Sequence, residues 1–334
     1  MSSDMGDGVP PSLTDPFGRV VRDLRISVTD RCNLRCTYCM PEQGMDWLDR
    51  DELLGFDEIE RVARVCVERF GFTGIRLTGG EPTVRHGLEE LIASLATLGA
   101  DLALTTNGVT LAKHAAGLRA AGLNRLNISL DSLRRERFLA MTRRDELGRV
   151  LEGIDAALAA GFSPVKLNVV LIRGVNDDEA VDFAAFGREK GVGVRFIEFM
   201  PLDADGGWSA DSVVASDDVI AAIGAVFPLE EVAHGPEPAQ RYRFLDGTGD
   251  IGVIPSVTKP FCGSCDRVRI TAEGAFRTCL FANDEHDLKP ALRHGTDDDL
   301  AAAIAAAVGT KWAGHSIGQI GFTRPPRTMS QIGG

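Results

Sequence analysis

Three cysteines stand within eight residues in CNLRCTYC, Cys32, Cys36 and Cys39, a CxxxCxxC spacing. A tetrahedral zinc site and a closed iron–sulfur cluster each take four protein ligands. Three thiolates from one short loop therefore imply either a remote fourth ligand or one metal corner left open. A four-iron cluster held this way keeps one iron free to chelate a small molecule, and zinc completed by a distant histidine satisfies the same spacing. A second group, Cys262, Cys265 and Cys279 in KPFCGSCDRVRITAEGAFRTCLF, again supplies three thiols with no obvious fourth. There, zinc with His286 or His294 and an iron–sulfur cluster are equally compatible with the residues. The remaining cysteine, Cys66, falls on the apolar stripe Ile59, Val62, Ala63, Cys66 and Phe70 of a helical pattern, which makes it a core residue.

The elements that position these thiols follow from hydrophobic periodicity. Short apolar strands at Leu24–Thr29, Gly74–Thr78, Leu102–Thr106, Arg125–Leu130, Val165–Ile172 and Val194–Phe199 alternate with helical patterns near 57–70, 87–98, 110–121, 146–160 and 178–190. Repeated β–α units with short connections imply parallel strands. The expected fold is α/β, an incomplete TIM-like (β/α)6 barrel closed by a smaller C-terminal α+β domain. Residues 1–18, polar and rich in Pro and Gly, are expected to be a flexible tail. Residues 19–233 form the barrel domain with the first thiol group, which lies past strand one, at the carboxyl end where barrels carry chemistry. HGPEPAQ (234–240) reads as a linker opening a domain over 234–334. That domain holds the strands RYRFL and IGVIP, the second thiol group and helical stretches near 284–293 and 296–308.

Side-chain parity says what fills the barrel. Leu24, Ile26 and Val28 share one face of strand one, and Arg25, Ser27 and Thr29 the other. The same split sets Ile75 and Leu77 against Arg76 and Thr78, and Leu126, Ile128 and Leu130 against Asn127, Ser129 and Asp131. In strand five, Val165, Leu167 and Val169 oppose Lys166 and Asn168. The apolar set must meet the helices, so the polar set points inward and predicts a wet, cationic lumen instead of the usual branched apolar filling.

Seven cysteines, an odd number in two tight clusters and one outlier, argue for metal rather than a disulfide framework. The 334 residues carry a net charge of −12 with 44% hydrophobic and 25% charged side chains. That acidity argues against non-specific binding to nucleic acid or an anionic membrane, though not against a small anion in an internal cationic pocket. The first twenty residues lack the pattern of a secretory signal, and the longest apolar run, Leu300 to Gly309, is about half of a membrane span. A cytoplasmic protein is expected.

The first thiol group, with aromatic Tyr38 before its last cysteine, resembles the CxxxCxΦC signature of the radical S-adenosylmethionine (AdoMet) superfamily. LTGGEP (77–82) after strand two is similar to that superfamily's GGEP motif. The whole chain from about Asp15 resembles the GTP 3′,8-cyclase family (molybdenum cofactor biosynthesis protein A). The resemblance rests on DPFGRVVRDLRISVTDRCNLRCTYCMP, IRLTGGEPTVR, TTNG, NISLDSL, VRFIEFMPL, PFCGSCDRVRIT and the terminal MSQIGG.

The resemblance implies a lyase with two [4Fe–4S] clusters, on Cys32, Cys36 and Cys39 and on Cys262, Cys265 and Cys279, each with one iron left open. The first would chelate AdoMet, contacted by Tyr38, Gly80, Ser129 and Met200. The second would bind the guanine of GTP, with Arg25, Arg76, Thr105, Lys166 and the run Arg267-Val268-Arg269 around the nucleotide. The activity implied is removal of H3′ by a 5′-deoxyadenosyl radical and closure of C3′ onto C8. Arg267, Arg269 and the terminal Gly333 and Gly334 belong to the implied catalytic machinery, the glycines because they enter the site without a side chain to collide. An external one-electron reductant of flavodoxin or ferredoxin type and a downstream cyclic pyranopterin monophosphate synthase are the implied partners. The family is often dimeric, which admits a homodimer. The rival readings are a peptide-modifying radical enzyme with an auxiliary cluster and a non-catalytic zinc or iron–sulfur protein.

Overall fold

The computed structural model describes residues 12–203, 206–233, 235, 237–317, 319 and 322–333. Its centre is six parallel strands, β1 (Asp23–Ser27), β2 (Gly74–Thr78), β3 (Asp101–Thr106), β4 (Arg125–Ser129), β5 (Val165–Leu171) and β6 (Gly193–Glu198), paired in chain order. Between them run α1 (Phe56–Phe70), α2 (Leu88–Ala96), α3 (Leu111–Ala120), α4 (Arg135–Thr142), α5 (Leu147–Ala159) and α6 (Ala180–Lys190); α7 (Ser216–Gly224) follows β6.

The C-terminal part does not form a sheet of its own. β7 (Leu229–Val232), β8 (Gln240–Phe244) and β9 (Asp250–Ile254) extend the sheet beyond β6, with β9 parallel to it. The chain then crosses to the opposite edge, where β10 (Arg267–Ile270) lies parallel to β1 and is followed by β11 (Ala275–Arg277) and β12 (His286–Asp287). One twelve-stranded sheet results, open as expected of a partial barrel. The crossing segment 255–266 carries Cys262 and Cys265. α8 (Lys289–His294) and α9 (Asp297–Val308) pack against α1, and a last turn of helix, α10 (Met329–Ile332), precedes Gly333.

Local chemistry sets the element ends. α1 begins at extended Gly55, whose N–H donates to Glu58, and ends at Gly71 in the left-handed conformation, where a side chain would be strained. Cys66 is fully buried on that helix among Ile59, Val62 and Ala63, as its stripe requires. α4 and α7 were not legible in the sequence: α4 is short and arginine-rich, with only Phe138, Met141 and Thr142 turned inward.

The structure corrects the expected flexible tail for residues 12–18. Leu13 and Asp15 are buried, Thr14 bridges Val20, and the Val21 N–H donates to the Leu13 carbonyl at 2.8 Å. Residues 1–11 lie outside the described residues, as do His234 and Pro236 of the expected linker. Parity holds across the sheet: Leu24, Ile26, Ile75, Leu77, Leu126, Ile128, Val165 and Leu167 all join the core between sheet and helices.

Candidate active site

The first thiol loop leaves the carboxyl end of β1 and is tethered from two sides. Arg35 and Thr37 donate their main-chain N–H groups to the Thr142 and Met141 carbonyls at the end of α4, at 3.0 and 2.9 Å. The turn after β2 presses against the other side. A Cβ on Gly79 would come within 2.4 Å of the Thr29 carbonyl oxygen, and one on Gly80 within 2.4 Å of the Asp30 and Arg31 carbonyls. Both glycines are thus required by the backbone of the thiol loop itself.

Glu81, beside them in the same motif, is fully buried and accepts from the Thr83 N–H and hydroxyl, the Thr106 hydroxyl and the Asn107 N–H. Asn107 in turn donates to Asn33 at 2.7 Å and to the Cys32 sulfur at 3.7 Å. One carboxylate therefore joins the ends of β2 and β3 to the thiol loop. Burial pushes its pKa up while these donors pull it back.

The six thiols are free and fall into two groups, within each of which ionised members repel one another. Burial pushes Cys32 up to about 11 and Cys39 up to about 12, and Cys36 is raised by burial and by Cys39, Asp131 and Cys32. The second group behaves differently: burial raises Cys262, which feels Cys279 and Cys265, whereas Arg267 and Lys311 outweigh burial at Cys265 and lower it. N–H groups reach two of the sulfurs, Leu34 to Cys32 at 3.4 Å and Phe281 to Cys279 at 3.5 Å, while the main chain of Ser330, His315 and Arg267 draws Cys39, Cys262 and Cys265 downward. Donors to sulfur are what anionic thiolates on an iron–sulfur cluster use, so both donor sets suit such a group. Neither histidine expected as a zinc ligand takes that part. His286 pairs with Thr310 at 3.0 Å and His294 is exposed; among the described residues no group of three or more His, Cys, Asp or Glu side chains could hold a single metal ion.

The strand register lines up the cations of the lumen. Arg269, Arg25 and Arg76 are direct partners on β10, β1 and β2, and Arg267 pairs with Asp23 one layer below. Thr105, Asn127 and Lys166 are successive partners on β3, β4 and β5. Arg25 meets Asp23 at only 3.5 Å, and Nε of Arg25, Arg76 and Arg269 and one Nη of Arg267 are buried with no hydrogen-bond partner. Burial, together with the neighbouring arginines, lowers Arg76 to about 10 and Arg269 to about 9; burial also lowers Lys166, with Arg195 adding to it. Unpartnered buried guanidinium donors are costly unless an anion completes them. Val268 departs from its neighbours: its side chain is fully buried in the core beside Leu24, so only Arg267 and Arg269 of that run face the lumen.

Tyr38 donates to Asp131 at 2.5 Å and stands edge-on to Phe199. Asp131 also accepts from the Val170 N–H at 2.8 Å, and its burial pushes it up to about 6. Ser129 ends β4 opposite Asn168. Met200 packs with Cys279, Phe281 and Ile332 in a small second apolar cluster, so the end of β6, the second thiol group and the C-terminal turn meet there. Gly333 is buried over Ser27 and Thr78 at the ends of β1 and β2; Gly334 lies outside the described residues. Sequence reasoning missed Asp23, Glu81, Asn107 and Arg195, and it placed Asp131 on the inward polar face without giving it a role. Glu81 and Asp131 sat within motifs already singled out, where their burial beside glycine or strand ends was the available signal.

An open parallel barrel with a three-thiol loop after its first strand, a glycine turn packed on it and a cationic interior defines a protein of the radical AdoMet class. Residues 26–187 match the family model of the radical SAM superfamily and residues 192–317 that of Molybdenum Cofactor Synthesis C. The chain is 48% identical to a GTP 3′,8-cyclase of Mycobacterium sp. (strain KMS), over 98% of this chain and 95% of that protein. It is 47% identical to one of Corynebacterium glutamicum (strain ATCC 13032), over 96% and 89%. The chain belongs to the GTP 3′,8-cyclase family. Among solved structures, its fold resembles Streptococcus suis SuiB bound to S-adenosylmethionine, with a TM-score of 0.58 at 12% identity over 86% of this chain and 69% of that one. Methylornithine synthase (PylB) aligns at a TM-score of 0.50 and 17% identity over 62% of each chain.

Proposed function

We infer that this protein is a radical AdoMet lyase that converts GTP to (8S)-3′,8-cyclo-7,8-dihydroguanosine 5′-triphosphate, the first step of molybdenum cofactor biosynthesis. The observation that carries the reading is the row of Arg25, Arg76, Arg267 and Arg269, each with a buried side-chain nitrogen that makes no hydrogen bond. A triphosphate carries roughly four negative charges, and guanidinium forks pair well with phosphate oxygens.

Cys32, Cys36 and Cys39 would hold a [4Fe–4S] cluster, with Tyr38, Gly80, Ser129 and Met200 around AdoMet. When bound, the cluster and AdoMet together supply the radical that removes the ribose H3′ of GTP. The protein's part is positional. Arg25, Arg76, Arg267 and Arg269, joined by Thr105 and Lys166, would fix the nucleotide so that C3′ and C8 lie within bonding reach of each other. Gly333, inserted over β1 and β2, would help exclude water and stray hydrogen donors.

We also assign a second [4Fe–4S] cluster to Cys262, Cys265 and Cys279, with its open iron toward guanine. The Phe281 N–H donating to Cys279 and the depressed Cys265 thiol support that assignment. A flavodoxin- or ferredoxin-type donor, a cyclic pyranopterin monophosphate synthase that takes the product, a homodimer and a cytoplasmic setting complete the reading. No described helix is long and apolar enough to cross a membrane. The test is anaerobic reconstitution followed by assay of 5′-deoxyadenosine and cyclised nucleotide with and without GTP. Cys32→Ala should abolish both products and Cys262→Ala should abolish the cyclised nucleotide. Deoxyadenosine formation with no GTP dependence and no cyclised product sinks the assignment.

A further inference from the structure

Two buried cations from distant parts of the chain hold the second thiol group, and neither belongs to the GTP row. Lys311, in the segment after α9, is 3% exposed. Its ammonium donates to the Arg267 carbonyl at 2.8 Å and to the Thr278 carbonyl, and lies 4.0 Å from the Cys265 sulfur. Thr278 immediately precedes Cys279, and Arg267 is two residues beyond Cys265, so one side chain spans the arms of two cysteines. Arg19 takes the third arm. It donates to the Cys262 carbonyl at 2.6 Å and to the carbonyls of Trp312 and Ala313, the residues that follow Lys311.

The two cations differ in their counter-charge. Arg19 is ion-paired with buried Asp15. Lys311 has no carboxylate partner among the described residues; carbonyls and a sulfur are all it meets. A buried ammonium needs an anion, and the sulfurs of Cys265 and Cys279 are the groups placed to supply it once deprotonated.

We propose that Lys311 is the built-in counter-charge and positioning residue of the second cluster, with Arg19 clamping the remaining thiol arm. This rests on the assignment of that cluster to Cys262, Cys265 and Cys279. A fixed positive charge beside the sulfurs favours the reduced, more negative cluster, so its loss moves the reduction potential down. Arg19, already neutralised by Asp15, governs cluster retention and not potential.

The experiment compares wild type, Lys311→Gln, Lys311→Arg and Arg19→Gln after anaerobic reconstitution. It reads iron per chain and the midpoint potential of the second cluster by EPR-monitored titration. AdoMet cleavage without GTP reports the first site separately. In Lys311→Gln, which keeps a donor but loses the charge, the oxidised-to-reduced ratio at fixed poise should rise about tenfold, 59 mV for one electron. Lys311→Arg should return toward the wild-type potential, and Arg19→Gln should lose second-site iron while AdoMet cleavage persists. Wild-type iron and potential in Lys311→Gln overturn the proposal. Uptake of only one cluster by the wild-type protein would instead overturn the second-cluster assignment on which it rests.

Discussion

Gly333 sits directly over Thr78: its φ is 79°, and a Cβ there would lie 2.8 Å from the Thr78 Cγ2 and 3.2 Å from the Ser27 Cβ. Both the left-handed backbone and the contact exclude a side chain. Three residues earlier, the Ser330 hydroxyl donates to the Met45 sulfur at 3.6 Å, and Ser330 draws the Cys39 thiol downward. The C-terminal turn is therefore seated between the first thiol loop and the ends of β1 and β2.

Removing Gly333 and Gly334, or replacing Gly333 by Val, should abolish cyclisation while iron content stays at the wild-type level. Iron analysis beside product assay checks this. A truncated enzyme with full turnover contradicts the seating of the tail as a functional element.

Arg76→Ala and Arg25→Ala should each raise the KM for GTP about 10- to 100-fold, the equivalent of one charged hydrogen-bonding group worth about 1.5–3 kcal/mol. Uncoupled AdoMet cleavage should change little, because the loss falls on nucleotide binding. The ligand-free Arg76→Ala variant should also be no less stable than wild type in urea, since it removes a guanidinium crowded by like charge, whereas Arg25→Ala takes from Asp23 its ion-pair partner and should cost stability. A variant that loses stability and keeps its KM would show a structural role instead.

Cys66 gives a pH dependence with a definite sign. Burial raises its thiol from 9.0 to about 12, so between those values the unfolded chain has released a proton that the folded chain retains. Stability must then fall as pH rises, by about 1.4 kcal/mol per unit for one such group. Below pH 9 this contribution is constant. Urea unfolding of cluster-free wild type and Cys66→Ala, below pH 9 and about one unit above it, should show their stabilities converging as pH rises. A constant gap would mean that the Cys66 thiol ionises as readily in the folded chain as in the unfolded one.

Sequence alone determined the local and periodic features. The CxxxCxxC loop, the glycine turn after β2, the six parallel strands and the inward face of Arg25, Arg76 and Lys166 all follow from side-chain types and a spacing of two along a strand. What tertiary structure decided is which distant groups meet. Strand order places β10 beside β1, bringing Arg267 and Arg269 to Arg25 and Arg76, and no local pattern encodes a partner about two hundred residues away. Folding likewise converts Glu81 from a turn residue into the bond between two strand ends. It also seats Lys311 under Cys265 without a carboxylate. Periodicity fixes which way a side chain points; only the closed set of contacts fixes what it meets, and the charge of this site depends on that second choice.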